Sequence, residues 1–339
     1  MEFTNDLTLK VWGCRGSIAA RDKMTQFLPV GEAAKLEPFS TRFGINTTCF
    51  SLESKYLPEN TVLFIDSGSG FFTASPYYYF AGYKKVILMQ THYHYDHTIG
   101  LTMALYTHIP DHDVEFYVYG PNDQSIGPRK AISHLMHRPV FPIEISEREV
   151  RFKKMVPLEQ PRNTILACHK NFGIKALTLR QFHELSQSGK RFKMNKHSDW
   201  VYLNDCLIIK INDCLNHPQK TLSYRFEANG KSLTILTDHE NTDGTHVELK
   251  PYLKGTQALV MDCQYTKKGE PRYAAGFGHA TPDYCVKVAE EAGVKNLYLC
   301  HHAPSASDAM IENIEAEARS YAANGLAVDS LREGMHITL

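Results

Sequence analysis

Thr91-His92-Tyr93-His94-Tyr95-Asp96-His97 is the stretch on which the reading of this chain turns. It follows Val86–Gln90, an apolar run with the length and composition of a buried strand. The loop where such a strand ends is a common mounting point for binding and catalytic groups. In an extended segment side chains alternate, so His92 and His94 share one face. Asp96 and His97 can turn toward a second point once the chain bends into the helix that the periodicity predicts over 98–106. Two neighbouring points of this kind are the geometry of a two-metal hydrolase. Imidazole and carboxylate together suit zinc best, with manganese or iron as alternatives. Tyr93 and Tyr95, which alternate with these donors, are expected to pack against the sheet.

Outward from this stretch, short apolar runs recur and end at polar or glycine-containing turns. They are Leu7–Trp12, Thr61–Ile65, Val114–Tyr119, Leu207–Ile211, Leu222–Phe226, Ser232–Leu236, Ala258–Met261 and Asn296–Cys300, all strand-like. Helical spacing appears at 98–106, 128–137, 282–292 and 307–323, with Pro282 suited to a first turn and Thr281 to its N-cap. Many strands with fewer helices predict an α/β (α+β) fold, sheets covered by helices. The segment 143–200 is polar and basic and reads as an insertion or cap on a single domain spanning 1–339.

Bulk properties set further bounds. The chain has 339 residues, 43% hydrophobic and 22% charged, ordinary for a globular protein with a sizeable core. Lys plus Arg equals Asp plus Glu, 37 each, and this balance weighs against a nucleic-acid partner, which a basic surplus would announce. Eight scattered cysteines without a CxxC pair fit free thiols in a reducing cytosol. Neither a leader-like N-terminus nor a run long enough to span a membrane is visible, so a cytoplasmic protein is expected.

The HxHxDH segment resembles the signature of the metallo-β-lactamase superfamily, and the likeness continues along the chain. Asp66, after Thr61–Ile65 and before Ser-Gly-Ser-Gly, matches a supporting aspartate. His217 in Leu215-Asn216-His217-Pro218, Asp238 after Ser232–Leu236 and His301 after Asn296–Cys300 match the remaining ligands. The resemblance implies a four-layer αβ/βα sandwich with two divalent cations at one edge. His92, His94 and His217 would hold one cation, Asp96, His97 and His301 the other, with Asp238 between them. His239, beside Asp238, is not expected to bind metal, because adjacent strand residues face apart.

A carboxylate at 238, where β-lactamases proper carry cysteine, favours a phosphodiesterase branch. Gly278-His279-Ala280-Thr281 resembles the His-x-Thr loop of tRNA 3′-processing endonucleases and related phosphodiesterases, which implies His279 as general acid. Gly13-Cys14-Arg15-Gly16-Ser17 and Thr41-Arg42-Phe43-Gly44-Ile45-Asn46-Thr47 resemble a subgroup acting on cyclic nucleotides. Arg15 and Arg42 are then candidate phosphate forks, and His302 a candidate phosphate contact.

The leading expectation is hydrolysis of a 3′,5′-cyclic nucleotide to the monophosphate, with hydroxide shared between the cations as nucleophile and Asp96 in the catalytic set. A tRNA 3′-processing endoribonuclease stands next, followed by another hydrolase of the fold (thioesterase or lactonase). A non-catalytic scaffold stands last, against a complete ligand set. Dimerisation, common in the family, would make a homodimer.

Overall fold

The computed structural model describes residues 3–20, 42–110, 113–214, 217–241, 245–266, 276–323 and 325–339. Thr41, Leu215 and Asn216, quoted above within motifs, lie outside them.

Apolar alternation and short all-apolar runs build two large sheets. The first takes β1 (Thr8–Gly13), β2 (Cys49–Glu53), β3 (Thr61–Ile65), β4 (Lys85–Met89), β5 (Glu115–Pro121) and β6 (Phe152–Leu158) in that order. The second begins with β7 (Thr164–His169) and β8 (Gly173–Thr178), and a separate two-stranded ribbon follows, β9 (Phe192–Lys193) with β10 (Trp200–Val201). It continues through β11 (Leu207–Cys214), β12 (Thr221–Ala228), β13 (Lys231–Leu236), β14 (Ala258–Asp262), β15 (Asn296–Cys300) and β16 (Ala327–Ser330). Its spatial order is β16-β15-β14-β13-β12-β11-β7-β8, and β17 (His336–Thr338) returns to pair with β1.

Leu9, Leu63 and Ile87 of the first sheet meet Ile209, Phe226 and Val260 of the second in one core between the sheets. Outside the first sheet, α1 (Ser69–Phe80), α2 (Tyr95–Met103), α3 (Leu105–His108) and α4 (Pro128–Leu135) cover Val62, Val86 and Val118 with Phe71, Leu101, Tyr106 and Ile132. On the second sheet α5 (Leu179–Ser188) lies against β7 and β8, while α6 (Thr245–Leu253), α7 (Pro282–Glu291) and α8 (Asp308–Tyr321) cover Leu259 and Leu297. The layers are therefore αβ/βα, the mixed α/β sandwich that the resemblance implied. Proline stands at the first turn of α7 and Thr281 at its N-cap position.

The 143–200 segment divides. Its residues 152–158, 164–169 and 173–178 are strands of the two main sheets, so this part belongs to the sandwich rather than lying over it. Edge position explains its polar sequence: β6 and β8 each have one unpaired side and many exposed residues. The helix α5 and the ribbon add no strand to either sheet. They are fixed by a local cluster in which Phe192, Met194 and Val201 pack on Ile165, Leu177 and Ile208. The seven cysteines whose side chains are described are all buried and free, and no described helix is long and apolar enough to cross a membrane.

Candidate metal centre

Strands of both sheets deliver their last residues to one edge of the sandwich. β3 ends into Asp66, β4 into 91–97, β13 into Asp238 and β15 into His301. Asp66, Asp238 and His301 have left-handed backbone, with φ of 59, 50 and 61°. Asp, Asn and His adopt this region more readily than other side chains, and such positions concentrate at functional sites. The turn aims each side chain back across the strand ends instead of onward into solvent.

The donor atoms converge in two groups that share Asp238. His92, His94, His217 and Asp238 offer atoms all within 4.8 Å of one another, and so do Asp96, His97 and His301. One oxygen of Asp238, Oδ2, lies 3.6 Å from His92 Nε2 and 3.9 Å from His217 Nε2. The other, Oδ1, lies 3.2 Å from His97 Nε2 and 3.4 Å from His301 Nε2. A single carboxylate thus faces both groups, one oxygen to each.

Hydrogen bonds on the far side of the rings set which nitrogen faces inward. Asp66 Oδ2 accepts from His97 Nδ1 at 2.8 Å and from Thr91 Oγ1 at 2.8 Å, and Oδ1 accepts from the Thr91 amide. The Gln219 carbonyl lies 3.0 Å from His217 Nδ1. Both imidazoles consequently present Nε2 to the centre, the orientation that partners behind a ligating histidine commonly enforce. Asp66 thus bonds both His97 and the first residue of the 91–97 loop.

The residues fit a pair of cations. His92 Nε2 is buried without a hydrogen-bond partner, an arrangement that costs free energy unless something occupies the lone pair. Burial, reinforced by His97, lowers the pKa of His92, and burial also lowers that of His217, so both stay neutral and able to ligate. In the second group burial opposes charge on the imidazoles. Asp238 nonetheless raises both, His97 well above the usual histidine range and His301 to about 9. The carboxylates there demand positive charge, and a divalent cation supplies it. Burial would raise Asp96 and Asp238, but His97 and His301 hold both carboxyls well below their ordinary range.

A third group adjoins the second. Asp262, buried at the end of β14, accepts from His279 Nδ1 at 2.7 Å and lies 3.8 Å from His301 Nδ1. The His279 ring stacks on His301 with centroids 4.7 Å apart. His279 therefore stands beside the centre with Nε2 away from its carboxylate partner. Gly278, with φ of +87°, lies so close that a Cβ there would meet the His217 ring at 2.1 Å.

Three residues expected to contact phosphate make other interactions. Arg15 is wholly buried and its guanidinium donates to the carbonyls of Gly44, Ala303 and Ala306, so it ties loops together. Arg42 pairs with Glu312 on α8 and lies over the Phe43 ring. His302 is buried, with Nε2 on the Leu331 carbonyl and its edge toward Phe43. Tyr93 packs as expected, donating to the Pro121 carbonyl, whereas Tyr95 in the first turn of α2 is 71% exposed. His239 turns away from the centre toward Tyr284.

No role at the centre was assigned from sequence to Asp262, Ser17 or Gly16, although each lies in a stretch that resembles the phosphodiesterase subgroup. The Ser17 amide donates to Asp96 Oδ2 at 2.7 Å. A Cβ on Gly16 would stand 2.2 Å from the His301 ring. The signal was the Gly13–Ser17 run itself, whose glycines permit a loop pressed against a ligand.

Residues 84–302 match the family model described as a beta-lactamase superfamily domain. The chain is 27% identical over 266 residues to the Ribonuclease Z of Nitrosopumilus maritimus (strain SCM1), which covers 75% of this chain and 82% of that protein. It is 30% identical over 145 residues to the Ribonuclease Z of Streptococcus pyogenes serotype M5 (strain Manfredo), 43% of this chain and 42% of the relative. The chain thus matches less than half the length of that streptococcal relative. Among solved structures, unliganded yeast PDE1 superposes with a TM-score of 0.60 at 11% identity, covering 99% of this chain and all of that one.

Proposed function

We infer the function from one premise: the chain belongs to the metallo-β-lactamase superfamily, whose model spans most of it. It is a metal-dependent hydrolase of phosphodiester bonds. We propose that its substrate is a phosphodiester in RNA. The observation that carries the chemistry is His279 held by Asp262 at the rim of a centre built on Asp238. The choice of RNA rests on the relative named Ribonuclease Z, which aligns over three quarters of the chain.

In this reading His92, His94 and His217 hold one cation, Asp96, His97 and His301 the second, and Asp238 both. Bound cations supply Lewis acidity, which makes water a nucleophile near neutral pH and offsets charge on the phosphate. The protein's own part is positional. Asp66 fixes His97, and the Ser17 amide fixes Asp96. Asp262 accepts from Nδ1 of His279 and so fixes the ring with Nε2 free; as the imidazolium, His279 would give its Nε2 proton to the departing alkoxide, which leaves poorly without one.

A second reading, hydrolysis of a 3′,5′-cyclic nucleotide, is favoured by the likeness of Gly13–Ser17 to small-molecule phosphodiesterases. The loop's visible role, however, is to brace Asp96 and His301, and Arg15, Arg42 and His302 are engaged elsewhere. The three residues expected to contact phosphate in that reading are each engaged in other interactions. Incubating metal-loaded protein with a tRNA precursor carrying a 3′ trailer and with a panel of cyclic mononucleotides separates the two. Cleavage of the precursor is expected, and turnover of cyclic nucleotides alone would reverse the order.

A further inference from the structure

The ribbon β9–β10 carries a face that the catalytic centre does not use. Its register pairs Lys193 with Trp200 and Phe192 with Val201. Continued one residue outward, the same register sets Arg191 opposite Tyr202. Phe192 and Val201 face inward to the local core, so Arg191, Lys193, Trp200 and Tyr202 share the outer face. Trp200 is 57% and Tyr202 50% exposed, and both cations are exposed beside them. Lys193 Nζ lies 5.7 Å from the Trp200 ring centre and the Arg191 guanidinium 5.9 Å from that of Tyr202. Each of these half-exposed aromatics lies beside a cation on a solvent face, where a ligand can cover it without opening the local core.

Charge selects the occupant. From Lys170 to Tyr202 there are seven Lys and Arg against two Asp and Glu, in a chain whose total is balanced. Flat rings alternating with cations suit a ligand made of flat rings alternating with anions. Single-stranded nucleic acid is that ligand: bases stack on exposed aromatics without sequence preference while phosphates meet the cations.

We propose that the outer face of the β9–β10 ribbon docks a single-stranded segment of the RNA substrate, bases on Trp200 and Tyr202, phosphates on Arg191 and Lys193. This deepens the RNA reading and rests on it. The chain has two tryptophans, and Trp12 is partly buried and bonded to Ser51, so Trp200 is a built-in probe. Titration of the metal-loaded protein with an oligouridylate of about 10 nucleotides should quench its fluorescence to saturation. Added salt should weaken the binding, with a log–log slope of about −0.7 per phosphate neutralised. Lys193→Glu, which keeps the probe, should abolish quenching. Both Lys193→Glu and Trp200→Ala should raise KM for the RNA about ten-fold or more, while leaving kcat and hydrolysis of bis(p-nitrophenyl) phosphate unchanged.

No quenching, or equal quenching by polyglutamate or by phosphatidylserine vesicles, overturns the proposal. RNA cleaved with the same KM by both variants overturns it too, and leaves the RNA reading standing. Quenching by oligouridylate with no RNA cleavage retains a nucleic-acid surface and removes the RNA reading instead.

Discussion

Asp238 faces both groups of histidines with separate oxygens, 3.6 Å from His92 on one side and 3.2 Å from His97 on the other. In the proposed two-cation centre, removing it would strip a ligand from each cation at once. Asp238→Ala is expected to lower bound metal, read by elemental analysis, and to abolish hydrolysis. His279 sits outside these pairs, so His279→Ala should retain full metal content yet slow turnover by roughly 10²–10⁴-fold. A variant that hydrolyses RNA at the parent rate would remove its role as proton donor. The donors themselves could be read from sequence because HxHxDH after an apolar run is specific. Asp262 could not: it lies at the end of a strand, far in sequence from His279, and only the fold reveals their 2.7 Å contact.

Among the elements, the 13–17 loop shows how a motif can be legible and its meaning not. The run was visible, but a buried arginine and a phosphate-binding arginine look alike in a sequence. Here Arg15 holds three carbonyls contributed by two other loops. Arg15→Ala leaves them without donors, at about 1–3 kcal/mol each. Its unfolding temperature should therefore drop sharply, whereas a purely substrate-binding arginine would change KM and leave stability alone. Strands read well wherever they are buried: Thr61–Ile65 and Asn296–Cys300 coincide with β3 and β15. Helix α1 escaped because aromatics surround it and Pro76 interrupts it, so no apolar stripe repeats every three to four residues. Edge strands β6 and β8 were lost inside a segment whose polar residues looked like a cap.

At the scale of the whole molecule, the two sheets are joined at the metal edge. The Leu222 amide of β12 donates to the Thr91 carbonyl at 2.8 Å, and Tyr224 Oη to the Gln90 carbonyl at 2.6 Å. Cations held as proposed, by residues from both sheets, would add to that junction, since anything that binds only the folded state stabilises it. Chelation should lower the unfolding temperature, and stoichiometric zinc should restore it. An unchanged melting curve would show that the donors grip no cation. The span of the donors along the chain, from His92 to His301, also governs when the protein becomes active. In the proposed two-cation centre a nascent polypeptide would complete its first set of donors at Asp238 and its second only at His301, and would stay inert until His301 has been made.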